Sequence, residues 1–306
     1  GREIILNGLK KGVFKQDETG AVYADLEQFG LPNKILLRRD GTTLYITQDI
    51  FLAYQKWKDF SPKSSAYVVA SEQDLYFKQL FAVLRLLKLP YADHLSHLSY
   101  GMVRLPEGKI KSREGTTVDI DNLLDSLVAL VKKEVERRER GLSKTEVKKR
   151  SEHIAQAALK YYLLAVNPHS DMIFNPKESI ALQGKTGPYL LYTYARLRSI
   201  ARKAGMSFRT RSAGNDAYDF SAEKPLVLAL MYFENTVQKA ADTVNPSLLA
   251  SHLYDLAQKT NDYYHATPVL KSEEPARTAR LLLIVAIADT LQRGLALLGI
   301  KTIEKM

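Results

Sequence analysis

A glycine-bounded loop in the first half of the chain concentrates the residue types that phosphate chemistry uses. Residues 108–117 read Gly-Lys-Ile-Lys-Ser-Arg-Glu-Gly-Thr-Thr, so Lys109, Lys111 and Arg113 lie close to the small hydroxyl of Ser112. Cations on a loop at a sheet edge can gather around a transferring phosphoryl group as its negative charge builds. The alternative is a solvated basic loop, and the segment taken alone favours that alternative.

Polar residues that could bind a cationic side chain follow two apolar segments. Tyr45 and Asp49 are four residues apart at a predicted helix start, so both can face one pocket. A carboxylate there can hold a guanidinium through paired, charge-assisted hydrogen bonds, and its alternative role is to stabilise the helix dipole. Gln73 follows an apolar strand at the edge where α/β proteins bind ligands, and its alternative role is to start a helix.

The charge balance favours a polyanionic partner. The chain has 44 Lys and Arg against 34 Asp and Glu, a formal charge of +10 and a pI near 9.4. Nucleic acid is the first candidate, and a basic housekeeping protein without such a partner is about equally compatible. No acidic residue occurs from residue 186 to residue 215, where a predicted helix could present a basic face to phosphates or merely to solvent. The cations of that segment are Arg196, Arg198, Arg202, Lys203, Arg209 and Arg211.

Tyrosines accompany these arginines. Tyr189, Tyr192 and Tyr194 interleave with them, and Tyr263 and Tyr264 follow further along the chain. Unstacked nucleic-acid bases stack on aromatic rings, so exposed tyrosines here would suit RNA. Tyrosines at helical spacing are more often part of a core, and only one of the pair at 263 and 264 is expected to point outward.

The order of predicted elements separates an α/β part from a helical part. Strands are predicted at 35–37, 66–70 and 95–103, with a turn at 40–41 and helices at 47–57 and 72–88, which indicates a partly parallel sheet. Beyond about residue 120 only helices are predicted, at 120–138, 144–164, 193–204, 225–241, 247–265 and 274–298. Gly205 and Gly299 occupy C-terminal cap positions of two of these helices.

Composition excludes several classes of protein. Hydrophobic residues make up 45% and charged residues 25% of the 306, which excludes wholesale disorder. The chain has no cysteine, so disulfides, thiolate zinc sites and a cysteine nucleophile are excluded. No apolar stretch approaches the ~20 residues of a membrane helix, and no secretory signal is evident at the start.

Several segments, in one order along the chain, resemble arginyl-tRNA synthetase, a class I aminoacyl-tRNA synthetase. The basic loop resembles the lysine-serine signature of that class in the form followed by Arg-x-Gly, and 101–104 and 117–124 resemble the segments on either side of it. Residues 45–49 resemble the Tyr-x-Thr-Arg-Asp helix start of this family. Further likenesses lie at 68–74, 186–198, 261–265 and 298–306.

Departures from the family pattern are also visible. The second lysine of the signature is replaced by Ser112, Gln48 stands where the family has Arg, and Leu191 stands where it has Gln. None of the six histidines forms the His-x-Gly-His element of class I enzymes, and the family's N-terminal tRNA-binding domain has no counterpart. The resemblance therefore implies the C-terminal half of an arginyl-tRNA synthetase that is inactive by itself.

The resemblance implies a fold, a reaction and partners. A partial Rossmann-type nucleotide-binding domain at 1–125, with the signature loop at 109–115, would precede a helical anticodon-binding domain at 126–306. The parent protein would join arginine to tRNA-Arg through an arginyl-adenylate. It would use ATP with Mg²⁺ as substrate, with no resident metal and no tightly bound cofactor. A cytoplasmic monomer without membrane association is expected.

The family's functional positions fall on named residues of this chain. The catalytic set is Lys109, Lys111, Ser112 and Arg113, and the arginine side chain would meet Tyr45, Asp49 and Gln73. ATP would meet Met102, Val103 and Lys109. The tRNA would meet Arg196, Arg198, Arg202, Tyr264 and Met306.

Two other functions remain compatible with the residues. One is a stand-alone, non-catalytic tRNA- or RNA-binding module. The other is a basic metabolic protein that shares only the fold. Salt-dependent binding of tRNA would separate the basic metabolic protein from both the synthetase fragment and the RNA-binding module.

Overall fold

The computed structural model describes residues 1–106, 119–138, 141–205 and 218–304. Contacts between Cα atoms divide the chain into two compact units, Gly1–Met102 and Val103–Met306. The domain boundary that the sequence predicts, between residues 125 and 126, stays a prediction. The signature loop at 109–115 and the terminal Met306 lie outside the described residues.

The first unit begins with a helix and a small antiparallel sheet. Helix α1 (Arg2–Lys10) precedes strands β1 (Lys15–Gln16), β2 (Val22–Ala24) and β3 (Lys34–Leu37), which pair in that order. Of these elements the sequence predicts only β3, because α1, β1 and β2 are short. The turn predicted at 40–41 is present: the Gly41 N–H donates to the Arg38 carbonyl at 2.8 Å, with Gly41 at a φ of 79°.

Helix α2 (Tyr45–Phe60) is tied at its start to strand β3. The Thr47 hydroxyl accepts a hydrogen bond from the Leu44 N–H at 3.1 Å and donates to the Leu36 carbonyl at 2.7 Å. Because Leu36 is fully buried, this bond fixes the first turn of α2 against the core. Tyr45 and Asp49 extend from that first part of the helix.

A parallel β-α-β unit completes the first compact region. Strand β4 (Ser65–Ala70), helix α3 (Asp74–Leu86) and strand β5 (Leu95–Tyr100) follow one another, and β4 pairs with β5 in parallel. The parallel pairing that the sequence predicts is confirmed. The strand predicted at 95–103 is wrong in its length, since it ends at Tyr100 and Val103 begins a different pairing.

The second unit is mostly helical. A two-residue parallel ladder joins β6 (Val103–Arg104) to β7 (Met172–Ile173). Its helices are α4 (Ile120–Arg138), α5 (Lys144–Leu164), α6 (Pro176–Ser179), α7 (Gly187–Lys203), α8 (Lys224–Met231), α9 (Phe233–Asp242), α10 (Pro246–Ala266) and α11 (Ala276–Leu297).

Capping residues explain where several of these helices begin and end. The Ser143 hydroxyl accepts from the Glu146 N–H at 3.2 Å, and the Glu146 carboxylate accepts from the Ser143 N–H at 3.1 Å, a capping box that starts α5. Helix α7 begins six residues before the predicted 193, because the Thr186 hydroxyl accepts from the Tyr189 N–H at 3.2 Å. Gly205 and Gly299 end α7 and α11 with φ of 70° and 68°, as predicted.

One predicted helix is divided in two. The helix predicted at 225–241 is observed as α8 and α9, which meet at Tyr232. Hydrophobic residues occur on both sides of this break, but α8 buries Leu226 and Ala229 whereas α9 buries no residue fully. The hydrophobic period continues through the break, so the sequence pattern alone does not locate it.

The core of the second unit lies among α5, α7, α10 and α11. Tyr161 of α5 is fully buried, and its hydroxyl donates to the Ala250 carbonyl of α10 at 3.0 Å. Helix α7 approaches α5 closely at Gly187, where a Cβ atom would lie 2.1 Å from the carbonyl oxygen of Ala157. In the described ranges no helix has both the length and the apolar character that crossing a bilayer requires.

We expect Gly187→Ala to destabilise this unit by about 3 kcal/mol, because the added methyl group meets a main-chain oxygen and the helices must separate. Lys203→Ala, at an exposed position of the same helix, is the matched control and should change stability by less than about 0.5 kcal/mol. Urea unfolding of both variants measures the difference. Equal stability would mean that α5 and α7 can move apart freely.

Candidate functional site

The start of α2 presents two of the residues predicted to bind the arginine side chain. Tyr45 is 82% exposed and points into solvent, whereas Asp49, one turn later, is half-buried. The Asp49 carboxylate accepts a hydrogen bond from the hydroxyl of Tyr76, which belongs to α3. This bond connects two helices at the position where a guanidinium is predicted to bind.

Tyr76 is a member of this site that the sequence analysis missed. Its ring lies edge-on to Phe77 with centroids 5.3 Å apart, and the Lys34 ammonium lies 5.1 Å from its ring centroid. Burial and the hydrogen bond to Asp49 raise the pKa of Tyr76 well above its ordinary value. The phenol therefore stays protonated and keeps donating to Asp49. Its spacing of three residues from Gln73, about one helical turn, was the available signal.

Gln73, the third predicted arginine contact, is exposed at the point where α3 begins. Polar contacts from the strands fix that point. The Ser99 hydroxyl of β5 donates to the Asp74 carboxylate at 2.6 Å, and His97 Nε2 donates to the Val69 carbonyl at 3.0 Å. The end of β5 is thus bonded to the first residue of α3, directly after Gln73.

A second tyrosine hydroxyl of the first unit is buried and does not bond to Asp49. The Tyr67 hydroxyl of β4 is buried and has no hydrogen-bond partner within the described ranges. Burial raises the pKa of Tyr67 to about 12, with smaller contributions from Tyr91 and Asp49. Its ring packs against Phe77 with centroids 5.2 Å apart. Tyr67 thus provides a buried hydroxyl in the same unit that makes no hydrogen bond to Asp49.

Two of the three residues predicted to meet ATP are described, and these two neighbours are assigned to different compact units. Met102 follows the buried Gly101 at the end of the first unit, and Val103 begins β6 of the second unit with 37% of its surface exposed. The predicted catalytic residues lie outside the described ranges. These are Lys109, Lys111, Ser112 and Arg113.

The basic face predicted on α7 is not free of acidic partners. Arg198 forms an ion pair with Glu304 at 2.7 Å, and Arg202 approaches the same carboxylate at 3.5 Å. Arg196 donates to the Asn261 side chain at 3.2 Å and to the Tyr192 hydroxyl at 3.0 Å. The sequence around α7 contains no acidic residue, but Glu304, more than 100 positions later, supplies a negative charge to this helix.

The tyrosines near α7 are largely structural. Tyr194 is buried, and the Tyr189 hydroxyl accepts from the Asn261 amide at 3.0 Å. Tyr263 donates to Glu223 at 2.7 Å, so its hydroxyl is engaged inside the protein. Tyr264 is half-buried and packs against the helical core, and its role toward RNA stays a prediction, as does that of Met306.

A fully buried carboxylate joins the start of α8 to α10 and α11. Glu223 Oε1 accepts from Tyr263, from the Tyr218 hydroxyl at 3.0 Å and from Arg280 Nε at 3.1 Å. Its side chain is 0% exposed, and Oε2 has no hydrogen-bond partner within the described part of the chain. Burial, and then the bond to Glu223, raise the pKa of Tyr263 far above its ordinary value. Sequence analysis did not find this cluster, because its members lie on separate elements.

Two known protein families match this chain, one in its first part and one in its second. The family described as "tRNA synthetases class I (R), catalytic domain" matches residues 2–176. The chain belongs to the class I arginyl-tRNA synthetase family. The family described as "DALR anticodon binding domain" matches residues 190–306. A class I catalytic domain followed by a helical anticodon-binding domain, as the sequence predicts, is therefore confirmed.

Individual relatives agree with this assignment. The chain is 42% identical over 310 residues to the arginine–tRNA ligase of Flavobacterium psychrophilum and 41% identical over 312 residues to that of Treponema pallidum. All of this chain aligns, but it spans about half the length of these relatives, 51% and 53%.

Solved structures agree as well. The arginyl-tRNA synthetase of Thermus thermophilus superposes with a TM-score of 0.85 at 28% identity, over 100% of this chain and 58% of that one. The arginyl-tRNA synthetase of Plasmodium falciparum superposes with a TM-score of 0.84 at 22% identity, over 100% of this chain and 52% of that one, and so supports the fold alone.

We expect Glu223→Gln to lower the free energy of unfolding by about 3 kcal/mol, because it leaves Arg280 partly buried opposite a neutral amide. Glu234→Gln makes the same chemical change at an exposed position of α9 and serves as the control. Chemical denaturation followed by circular dichroism compares the two. A loss no larger for Glu223→Gln than for the control would mean that the buried charge adds nothing to stability.

Proposed function

We propose that these 306 residues form the second half of an arginine–tRNA ligase and supply its signature loop, part of its arginine site and its anticodon-binding domain. The observation that most supports this is the hydrogen bond from Tyr76 to the Asp49 carboxylate, which links α2 to the helix that begins directly after Gln73, because Asp49 and Gln73 stand where the family's arginine contacts fall. Because the relatives are about twice as long, the activity belongs to the longer protein.

The reaction has two steps. A carboxylate oxygen of arginine attacks the α-phosphorus of ATP, and pyrophosphate leaves to give arginyl-adenylate. The terminal hydroxyl of tRNA then attacks the activated carbonyl carbon, and AMP leaves. No covalent intermediate with the protein forms, so the protein acts by positioning the substrates and stabilising charge.

Each substrate has its own group of residues. Asp49 would pair with the guanidinium, with Tyr45 and Gln73 beside it. ATP, bound with Mg²⁺, would lie against the main chain of Met102 and Val103. Its phosphates would be held by the signature loop as negative charge moves onto pyrophosphate. That loop contributes Lys109, Lys111, Ser112 and Arg113.

The helical unit would bind tRNA-Arg. Phosphates of the tRNA backbone would be contacted by three arginines of α7, Arg196, Arg198 and Arg202. Anticodon bases would be contacted by Tyr264 and Met306. Because Glu304 already pairs with two of the three arginines, only part of the positive charge of α7 is available to RNA. We place the protein in the cytoplasm as a monomer.

The arginine site is tested by Asp49→Asn in the full-length protein. The change keeps the shape and removes the charge that opposes the guanidinium, so we expect arginine affinity to fall by about 2–5 kcal/mol with ATP binding nearly normal. Asp59→Asn, at the exposed end of the same helix, is the matched control. Arginine-dependent ATP–pyrophosphate exchange gives both KM values. Unchanged arginine KM would leave Asp49 with only a helix-start role.

The tRNA surface is tested by charge changes around α7. Replacing Arg198 and Arg202 together by Gln should flatten the slope of log affinity against log salt by about one unit per lost phosphate contact. Glu304→Gln should do the opposite and strengthen tRNA binding, because it frees both arginines.

Arg293→Gln on α11, where Arg293 pairs with Asp289 at 2.8 Å, controls for a general change of net charge. Filter binding of tRNA at several salt concentrations measures all variants. If Glu304→Gln and the double arginine variant both behave like this control, α7 does not face RNA.

A further inference from the structure

The Asp49 carboxylate is oriented by a neutral donor. A carboxylate offers about four lone-pair positions, and the Tyr76 hydroxyl occupies one of those on Oδ2. The remaining positions are enough for a guanidinium, which binds a carboxylate with two parallel N–H donors. The bond from Tyr76 is thus compatible with a bound arginine side chain, and it leaves the negative charge of Asp49 in place.

The direction of the Tyr76 hydroxyl is itself fixed. Tyr76 is half-buried on α3, its ring meets Phe77 at 90°, and the Lys34 ammonium from β3 lies 5.1 Å from its centroid. Contacts from two elements therefore hold the ring, and the ring holds the carboxylate of a third.

We propose that Tyr76 is a positioning residue that sets the plane of the Asp49 carboxylate for paired hydrogen bonding to a guanidinium, and that it thereby favours arginine over uncharged analogues of the same shape. This inference rests on the proposed function. It assigns Tyr76 no contact with the substrate.

The physical effect is preorganisation. Without the Tyr76 hydroxyl the Asp49 side chain is free to rotate, and freezing that rotation on binding costs part of the interaction with arginine. Paired hydrogen bonds depend on coplanarity of the two groups, so a rotating carboxylate binds the fork of a guanidinium less well. Citrulline has the same shape with an uncharged urea and gains less from the charged acceptor, so its binding should respond less.

Tyr76→Phe in the full-length ligase that contains these residues tests the proposal. We expect arginine KM in ATP–pyrophosphate exchange to rise about tenfold, with ATP KM and kcat unchanged. The inhibition constant of citrulline should change less than twofold, so discrimination between the two compounds falls by roughly the same tenfold factor.

Tyr67→Phe is the matched control. It removes another buried tyrosine hydroxyl of the same unit, one that has no hydrogen-bond partner within the described part of the chain, so arginine KM should stay unchanged. A rise in arginine KM with Tyr67→Phe equal to that with Tyr76→Phe would overturn the inference, because the effect would then not come from the bond to Asp49.

A double-mutant cycle with Asp49→Asn shows whether Tyr76 acts through Asp49. We expect Tyr76→Phe to have little further effect on arginine KM once Asp49 is Asn. If the increases in arginine KM from the two substitutions multiply, Tyr76 acts by another route and the inference is overturned. A loss of thermal stability with an unchanged ratio of arginine to citrulline binding would also overturn it.

The cycle also separates this inference from the proposed function. If Asp49→Asn raises arginine KM and Tyr76→Phe does not, the arginine site stands and the positioning role is wrong. If Asp49→Asn leaves arginine KM unchanged, the proposed arginine site is wrong, and the role of Tyr76 is overturned with it.

Discussion

A carboxylate that is to bind a cation has to be held in place without being neutralised by its own protein. Asp49 meets this condition through the Tyr76 hydroxyl, which restrains the side chain and carries no charge. A lysine or arginine in the same place would orient Asp49 equally well but would cancel the charge that a guanidinium needs. Hydrogen bonds from Thr47 to β3 and from Ser99 of β5 to Asp74 hold the starts of α2 and α3, the two helices that carry the partners of this contact.

The other buried or clustered carboxylates of the protein are used differently. The charge of Glu223 is balanced by Arg280, and this ion pair joins the start of α8 to α11. Glu304 is shared by Arg198 and Arg202, and it lowers the positive potential of α7. The Arg198–Glu304 pair joins a side chain with 18% exposure to one with 52% exposure, so it is partly open to solvent. Glu223 and Glu304 are thus paired with arginines, whereas the contact described for Asp49 is to a neutral hydroxyl.

Local features of this fold follow from the sequence, and contacts between distant elements do not. Helices α4 and α5 have the predicted bounds because caps such as Ser143 and Glu146 lie within a few residues of each other. The same local logic finds Asp49 and Gln73 as polar residues next to apolar segments. Tyr76 was missed because its partner is 27 residues away on another helix. The pairing of Glu304 with Arg198 spans 106 residues, and nothing in the composition around α7 indicates it.

Very short strands are the other features that the sequence does not predict, and the reason is the same for each of them. Strands β1, β2, β6 and β7 have two or three residues each, too few for a period of two to appear in the sequence. They exist because neighbouring segments supply hydrogen-bond partners, as β7 does for β6. The break between α8 and α9 is the converse case, where a continuous hydrophobic period hides an interruption of the helix.

Tyrosine is suited to the role that it has beside Asp49 and Glu223 because its hydroxyl stays protonated. Burial, and then the bond to the carboxylate, raise the pKa of Tyr76 and of Tyr263, so both remain donors throughout the physiological range. A histidine in the place of Tyr76 would titrate near pH 6.5, and its charged form would compete with arginine for Asp49. The phenol therefore makes the hydrogen bond to Asp49 independent of physiological pH, and because the donor is neutral it does not offset the charge of the carboxylate.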